Sequence, residues 1–219
     1  MRRDIITSAI GIVVLTLLLG VLYPLVVTGV SQVAFPGNAN GQQVMVAGKL
    51  VGSKIIGQQF ADQVVKNGKP QVDKMGNPVT NPDPKYFQSR PSATVPPANA
   101  AATTFSNLGP NNTATRDAIV TNIQAYLALE KPYVPGLTPA QVPVDAANTS
   151  ASGIDPDVSE ANARIQAHRV ASVRKLSLSN VDRLISNYTH GRGLGFSGEP
   201  GVNVLQLNLA LDRLGSGGH

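Results

Sequence analysis

The sequence predicts an α+β protein in which one N-terminal transmembrane helix is followed by a single extracytoplasmic mixed α/β domain. Three observations carry that expectation. Residues 5–30 form an uncharged apolar run, residues 41–60 alternate like short strands, and three stretches after 115 repeat apolar side chains at helical spacing. No regular βα alternation and no internal repeat is present, so a doubly wound sheet is not expected. The 219 residues carry 18 Lys+Arg against 13 Asp+Glu, a net +5, and the longest basic run is two residues. Such dilute charge excludes a dedicated nucleic-acid binder. The absence of Cys removes thiolate chemistry, disulfides and Cys-ligated metals.

The run Ile5–Val30 is too long for a signal-peptide core of about 7–15 residues, although Arg2-Arg3 and the small residues near Val33-Ala34 resemble one. It is read as an uncleaved span. Arg2 and Arg3 precede it and no positive charge follows until Lys49, which places residues 1–4 in the cytoplasm and residues 36–214 outside it. Tyr23-Pro24 falls near the outer interface, and Pro24 is expected to bend the last turns by withholding a backbone donor. Thr16 and Gly20 have the small-xxx-small spacing that permits close helix approach.

In the outer domain, Val44 and Val46 alternate, Gly48-Lys49 supplies a turn and Leu50–Ile56 continues the apolar run, which predicts a hairpin. Residues 61–85, rich in Pro, Gly and charge, read as a surface insertion. Residues 91–115 carry no charge and read as a loop, either wrapped on a surface or flexible. A helix is expected over 116–129 behind a Thr115 cap, burying Ile119, Ile123, Tyr126 and Leu127. A capping box at Asp157 and Glu160 predicts a second helix that buries Val158, Ala161, Ile165 and Val173. Ser179 with Asp182 begins a third, facing inward with Val181, Leu184, Ile185 and Tyr188. The segment after Asn203 is assigned to a helix through the cap spacing of Asn203 and Gln206, and 215–219 to a flexible tail.

Motifs that imitate chemistry lack its context. Gly193-x-Gly195-x-x-Gly198 follows a predicted helix and opens none, so it reads as a glycine-rich loop and not as a dinucleotide fingerprint. Asp73-Lys-Met-Gly76 lacks the Thr of the P-type ATPase phosphorylation motif. Ser172-x-x-Lys175 has the spacing of penicillin-recognising serine enzymes without their companion motifs. His168, His190 and His219 make no metal set or triad, and Asp155 and Asp157 suit helix capping better than a calcium loop. No catalytic, cofactor or metal residue is assigned. The candidate partner interface is Thr16 and Gly20 in the span, with Tyr86, Phe87 and Arg90, residue types that anchor interfaces, in the outer domain. The alternatives from the residues alone are a membrane-anchored extracytoplasmic serine hydrolase, which needs Ser172 and Lys175 in one pocket, and a wall-binding module.

A series of uncommon strings narrows this. Tyr23-Pro24-Leu25, GSKIIGQ at 52–58, YFQSRPSAT at 86–94, SNLGP at 106–110, PVDAANTSASGIDP at 143–156, Gln166 with Arg169-Val170-Ala171, and GEPGVNVL at 198–205 running on to Leu214 together resemble the KdpC family. These are accessory subunits of the bacterial Kdp high-affinity potassium-transporting ATPase. The resemblance covers about residues 10–214, with 61–85 longer than the family pattern. It implies a non-catalytic subunit of the inner membrane, partnered by a channel-like potassium-binding subunit, an ATP-hydrolysing P-type subunit and a small single-span subunit. It also implies a catalytic chaperone that raises ATP affinity in the pump subunit, so ATP enters only through the resemblance and potassium is handled by a partner.

Overall fold

The computed structural model describes residues 1–72, 79–94, 96–102 and 107–216. They form two compact units, Met1–Ser53 and Lys54–His219.

In the first unit, helix α1 (Arg2–Leu15) runs without a break through a π-helical stretch, Thr16–Leu22, into α2 (Tyr23–Ala34). The continuous helix is 33 residues, about 50 Å of axial rise, and buries none of its apolar side chains within the chain. It exceeds the apolar run at both ends. Pro24 explains the π stretch: its ring would strike the carbonyl four residues back, and the wider turn, in which Tyr23 N–H donates to Leu18 O, relieves that conflict. The adjustment therefore precedes Pro24, where the sequence had placed a bend after it. A short α3 (Pro36–Ala39) is tied to the helix end by Asn40, whose amide donates to Gln32 Oε1 at 3.1 Å and Pro36 O at 2.7 Å.

Strands β1 (Gln43–Val46) and β2 (Lys49–Ser53) pair antiparallel. The turn is Ala47-Gly48, one residue earlier than expected, because both carry the positive φ, 49° and 77°, that a tight hairpin twist requires. The first unit thus includes a hairpin that the sequence reading assigned to the domain beginning at 36.

The second unit opens with two small hairpins in the stretch read as an insertion. β3 (Ala61–Gln63) pairs with β6 (Thr80–Pro82), and β4 (Val65–Lys66) pairs with β5 (Lys69–Pro70) around the Asn67-Gly68 turn. Asp73–Gly76, the partial phosphorylation motif, lies outside the described residues. Helix α4 (Thr113–Glu130) begins with Asn112, whose side chain accepts from Ala114 N–H at 2.8 Å. Its start is three residues before the sequence estimate, and Thr115 lies inside the helix. Ile119, Ile123, Tyr126 and Leu127 do form its inner face, with Glu130 fully buried at its end. A single-turn α5 (Val144–Ala147) follows a Pro-rich loop.

The core sheet is three short strands in the order β7 (Asp157–Val158), β9 (Gly201–Asn203), β8 (Thr189–His190), all antiparallel. Helices α6 (Glu160–Arg174), α7 (Leu178–Tyr188) and α8 (Val204–Ser216) supply the rest. Phe87, Val158, Ala163, Ala167, Val170, Val181, Ile185, Val202, Val204, Leu207 and Leu211 make one continuous apolar cluster. The expected inward face of α7 is correct in direction, with Val181 and Ile185 buried and Leu184 and Tyr188 packed at the margin. Two caps shift. Ser159, not Asp157, caps α6, because the Asp157 and Val158 backbone is committed to pairing with β9; Ser177, not Ser179, caps α7. Asn203 caps α8 as expected, accepting from Gln206 N–H at 3.1 Å.

Gly57 shows why the GSKIIGQ string ends as it does. Its N–H donates to Ile154 O at 2.7 Å, and a Cβ there would run into the Asp155 carbonyl oxygen. Gly57→Ala is expected to lower stability by about 1–3 kcal/mol through forced separation of these two loops, read from the urea midpoint of the detergent-solubilised full chain; an unchanged midpoint would refute the close approach.

Candidate functional site

Helix α6 carries the main departure from the expected pattern. Its inner face is Asn162, Gln166 and Arg169, at i, i+4 and i+7, beside the small residues Ala163, Ala167 and Val170. Of the residues expected to be buried there, Ala161 is exposed, Ile165 and Val173 are only partly covered, and Val158 is buried in β7. A polar stripe faces inward because the chain opposite it is loop, and its carbonyls need donors.

Arg169 is 0% exposed and satisfies that need. Its Nη1 donates to Pro84 O at 2.6 Å and Tyr86 O at 2.9 Å, its Nη2 to Gln166 Oε1 at 3.0 Å, and its Nε to Glu130 Oε1 at 2.9 Å. Gln166 continues the lattice by accepting from Gln88 N–H at 2.7 Å and donating to Gln88 O and Asn162 Oδ1. Asn162 Oδ1 also accepts from the Tyr126 hydroxyl, and Asn162 Nδ2 donates to Asp145, which in turn accepts from both Ser159 N–H and its hydroxyl. Asn208 of α8 completes the grip by bonding the N–H and the carbonyl of Phe87, each at 2.9 Å.

The YFQSRPSAT loop is thereby held residue by residue. Tyr86 lies under the Arg174 guanidinium, 4.6 Å from its ring centre, with its hydroxyl on Asp212. Phe87 is 0% exposed in the apolar cluster, so the structure makes it a core residue and leaves it no surface for a partner. Arg90 pairs with Asp155 at 2.8 Å, and Ser92 donates to Gly153 O at 2.6 Å. The start of the uncharged 91–115 segment, around Ser92 and Thr94, is thus laid on the surface, whereas 107–112 are exposed. Thr16 and Gly20 remain neighbours in the π stretch, where a Cβ on Gly20 would sit 3.8 Å from Thr16 Cγ2.

Between α4, α6 and this loop lies a cavity of about 310 Å³, lined in part by Arg90, Asn122, Tyr126, Glu130, Asn162 and Gln166. Among the described residues, Glu130 Oε2 and Arg90 Nε have no hydrogen-bond partner. Burial pushes the Glu130 carboxyl above its usual range; Arg169 opposes the shift, but its charge is shared with three neutral acceptors. Burial likewise raises Tyr126, with help from the Glu130 and Asp145 charges, and raises Asp157 against the pull of His190 and Asn203. Ser172 and Lys175 are both exposed and line neither this cavity nor a second one beside Tyr86 and Arg174. Among the described residues no three His, Cys, Asp or Glu gather as a metal set.

A single long apolar helix, a candidate membrane span, precedes a small domain whose distinctive strings are spent on internal polar bonds. The family model described as KdpC, the c chain of the K+-transporting ATPase, matches residues 5–213. The chain is 46% identical to the potassium-transporting ATPase KdpC subunit of Methylococcus capsulatus over 93% of its own length and 94% of the relative's. It is 42% identical to that of Mycobacterium bovis over 98% and 100%, and 41% identical to that of Koribacter versatilis over 97% and 95%. The chain belongs to the KdpC family.

Sequence reading missed Glu130, Asp145, Asn162 and Asn208. The one available signal was the helical spacing of Asn162, Gln166 and Arg169.

Arg169→Ala would strand the buried Glu130 carboxylate and is expected to cost about 3–5 kcal/mol, while Arg169→Met with Glu130→Leu should recover much of that loss. Denaturant midpoints of the two variants test the pairing. The raised folded-state Glu130 carboxyl gives a second expectation. Its contribution to stability is fully present below the unfolded value near 4.5 and is lost as pH rises through the higher folded value. Glu130→Gln should remove that part of the pH dependence, and an identical pH profile in the variant would contradict it.

Proposed function

We propose that this chain is the non-catalytic accessory subunit of an ATP-driven high-affinity potassium importer, oriented with its N-terminus in the cytoplasm and residues 54–214 outside. Membership of the KdpC family supports the accessory role. The observation that carries the orientation is the charge-free run 5–30, preceded by Arg2-Arg3 at the start of the helix and followed by no cation until Lys49. The partners are a channel-like potassium-binding subunit, an ATP-hydrolysing P-type subunit and a small single-span subunit, and the setting is the inner membrane.

The chain holds the assembly together through its helix, where Thr16 and Gly20 offer the one closely paired small surface of the π stretch. It raises ATP affinity in the pump subunit without touching ATP. With residues 54–214 outside and the nucleotide inside, the effect passes through membrane helices as a shift among pump conformations, and the size of that shift equals the difference in this subunit's affinity for those conformations.

Lys66, exposed in the β4–β5 hairpin, is a suitable reporter of orientation. Lys66→Cys in intact cells is expected to react with a membrane-impermeant thiol reagent, and reaction only after rupture would reverse the orientation. Gly20→Leu should weaken retention of the pump subunits in detergent by about 1–2 kcal/mol, whereas Ser172→Ala should leave both assembly and potassium-dependent ATPase activity unchanged. Loss of activity in Ser172→Ala with normal assembly would restore the enzyme reading.

A further inference from the structure

We infer that the cavity between α4, α6 and the 86–94 loop binds a small neutral polyol, an assignment independent of the assembly role. The cavity lies wholly within the second unit, and its volume of about 310 Å³ stands at the lower end of the range of about 300–1,000 Å³ typical of ligand sites. That suits a molecule of monosaccharide size. Pro82, Pro91, Ala125 and Leu129 contribute apolar walls, which the C–H faces of a polyol cover.

Two polar atoms of the lining are unmet. Among the described residues, Glu130 Oε2 and Arg90 Nε are buried without hydrogen-bond partners, and the Glu130 side chain as a whole is 0% exposed. The other polar side chains around them are engaged: Asn122 donates to Ala147 O at 3.0 Å, the Ser89 hydroxyl to Gln58 O at 2.9 Å, Tyr126 to Asn162 and Gln166 to Gln88 O. A buried acceptor and a buried donor left unpaired cost free energy, which a ligand presenting one donor and one acceptor recovers. Water answers this poorly. The space takes several molecules, each needing roughly 2–4 polar partners, and the apolar walls offer none.

Charge and protonation select the class of ligand. Both charged groups of the lining are already matched, Glu130 with Arg169 at 2.9 Å and Arg90 with Asp155 at 2.8 Å. Asp145, whose oxygens accept from Ser159 and Asn162, is not part of the lining. An ion would surrender its hydration here without meeting a free countercharge. Burial raises the Glu130 carboxyl, so Oε2 meets a ligand either as a carboxylate acceptor or as a carboxylic-acid donor. A hydroxyl answers both states, donating to the first and accepting from the second, whereas an amide N–H or an ammonium answers only the first. Arg90 Nε needs an acceptor, and a second hydroxyl of the same molecule supplies it.

The test uses the full chain in a detergent without a sugar headgroup. Titration calorimetry with myo-inositol, glucose and glycerol should show saturable binding of at least one of them, one molecule per chain. Ala125→Phe, which fills the cavity from α4, should weaken that binding at least tenfold without lowering the melting midpoint of the free chain. Leu129→Phe, one turn further along α4, repeats the test should the first variant fail to fold. Absence of saturable binding with all three polyols, or binding of methylammonium or acetate in their place, overturns the assignment. Equal affinity in the wild-type and filled chains overturns it too, as does a non-saturating gain in stability shared by both, which is the general exclusion of polyols from protein surfaces.

Discussion

Arg169 has four hydrogen-bonding acceptors and no exposure to water, and the second unit is organised around that demand. A guanidinium is planar, permanently charged and rich in donors, so burying it obliges the surrounding chain to supply oxygens in fixed directions. Three of the four oxygens are uncharged, two of them carbonyls of a loop with no secondary structure of its own. The loop is thus ordered by side chains along one face of a helix, instead of by strand pairing. Glu130 balances the charge from α4, and Gln166 and Asn162 spread the network toward Asp145 and the start of α6. Buried networks of this kind contribute little net stability against an apolar replacement, but they penalise every alternative arrangement of the same groups.

Specificity of arrangement matters in a chain with so little sheet. The core strands are two or three residues long, and the ladder β7-β9-β8 supplies few backbone bonds. Polar side chains take over the task of fixing which loop lies where: Asn208 on Phe87, Asn203 on Lys54 O and Asp157, Arg174 on Lys85 O and Asp212. The strings that mark family membership, YFQSRPSAT, PVDAANTSASGIDP and the Gln166–Ala171 stretch, are largely the two sides of these bonds. Their distinctive composition reflects intramolecular fit before it reflects any contact with a partner.

Local signals were legible where a local cause decides the outcome. The uncharged run became a continuous helix, the inner faces of α4 and α7 followed apolar spacing, and Asn203 capped α8 because its side chain needs only the next three residues. The inner face of α6 was illegible for the complementary reason. Apolar periodicity assigns polar residues outward, yet Arg169 points inward because of Glu130, 39 positions away, and of carbonyls more than 80 positions away. Asp157 failed as a cap through its pairing with Asn203, again a distant residue. Phe87 was assigned to an interface by residue type, but it is buried in the core, because aromatic side chains that anchor interfaces anchor interiors equally well. Two-residue strands fall below any period that a sequence can display.

The π stretch at Thr16–Leu22 changes how the long apolar helix must be projected. Each wide turn takes up extra backbone, equivalent to roughly one inserted residue, so side chains beyond Tyr23 are rotated by about 100° from where uninterrupted α-helical counting would put them. A stripe that begins on Ile5, Ile12 and Leu15 does not continue onto the residues that a helical wheel of the whole span would select after Pro24. The helix therefore presents two offset faces along its length, one before and one after the π stretch, and can pack against two different neighbours while its hydrophobic run stays unbroken.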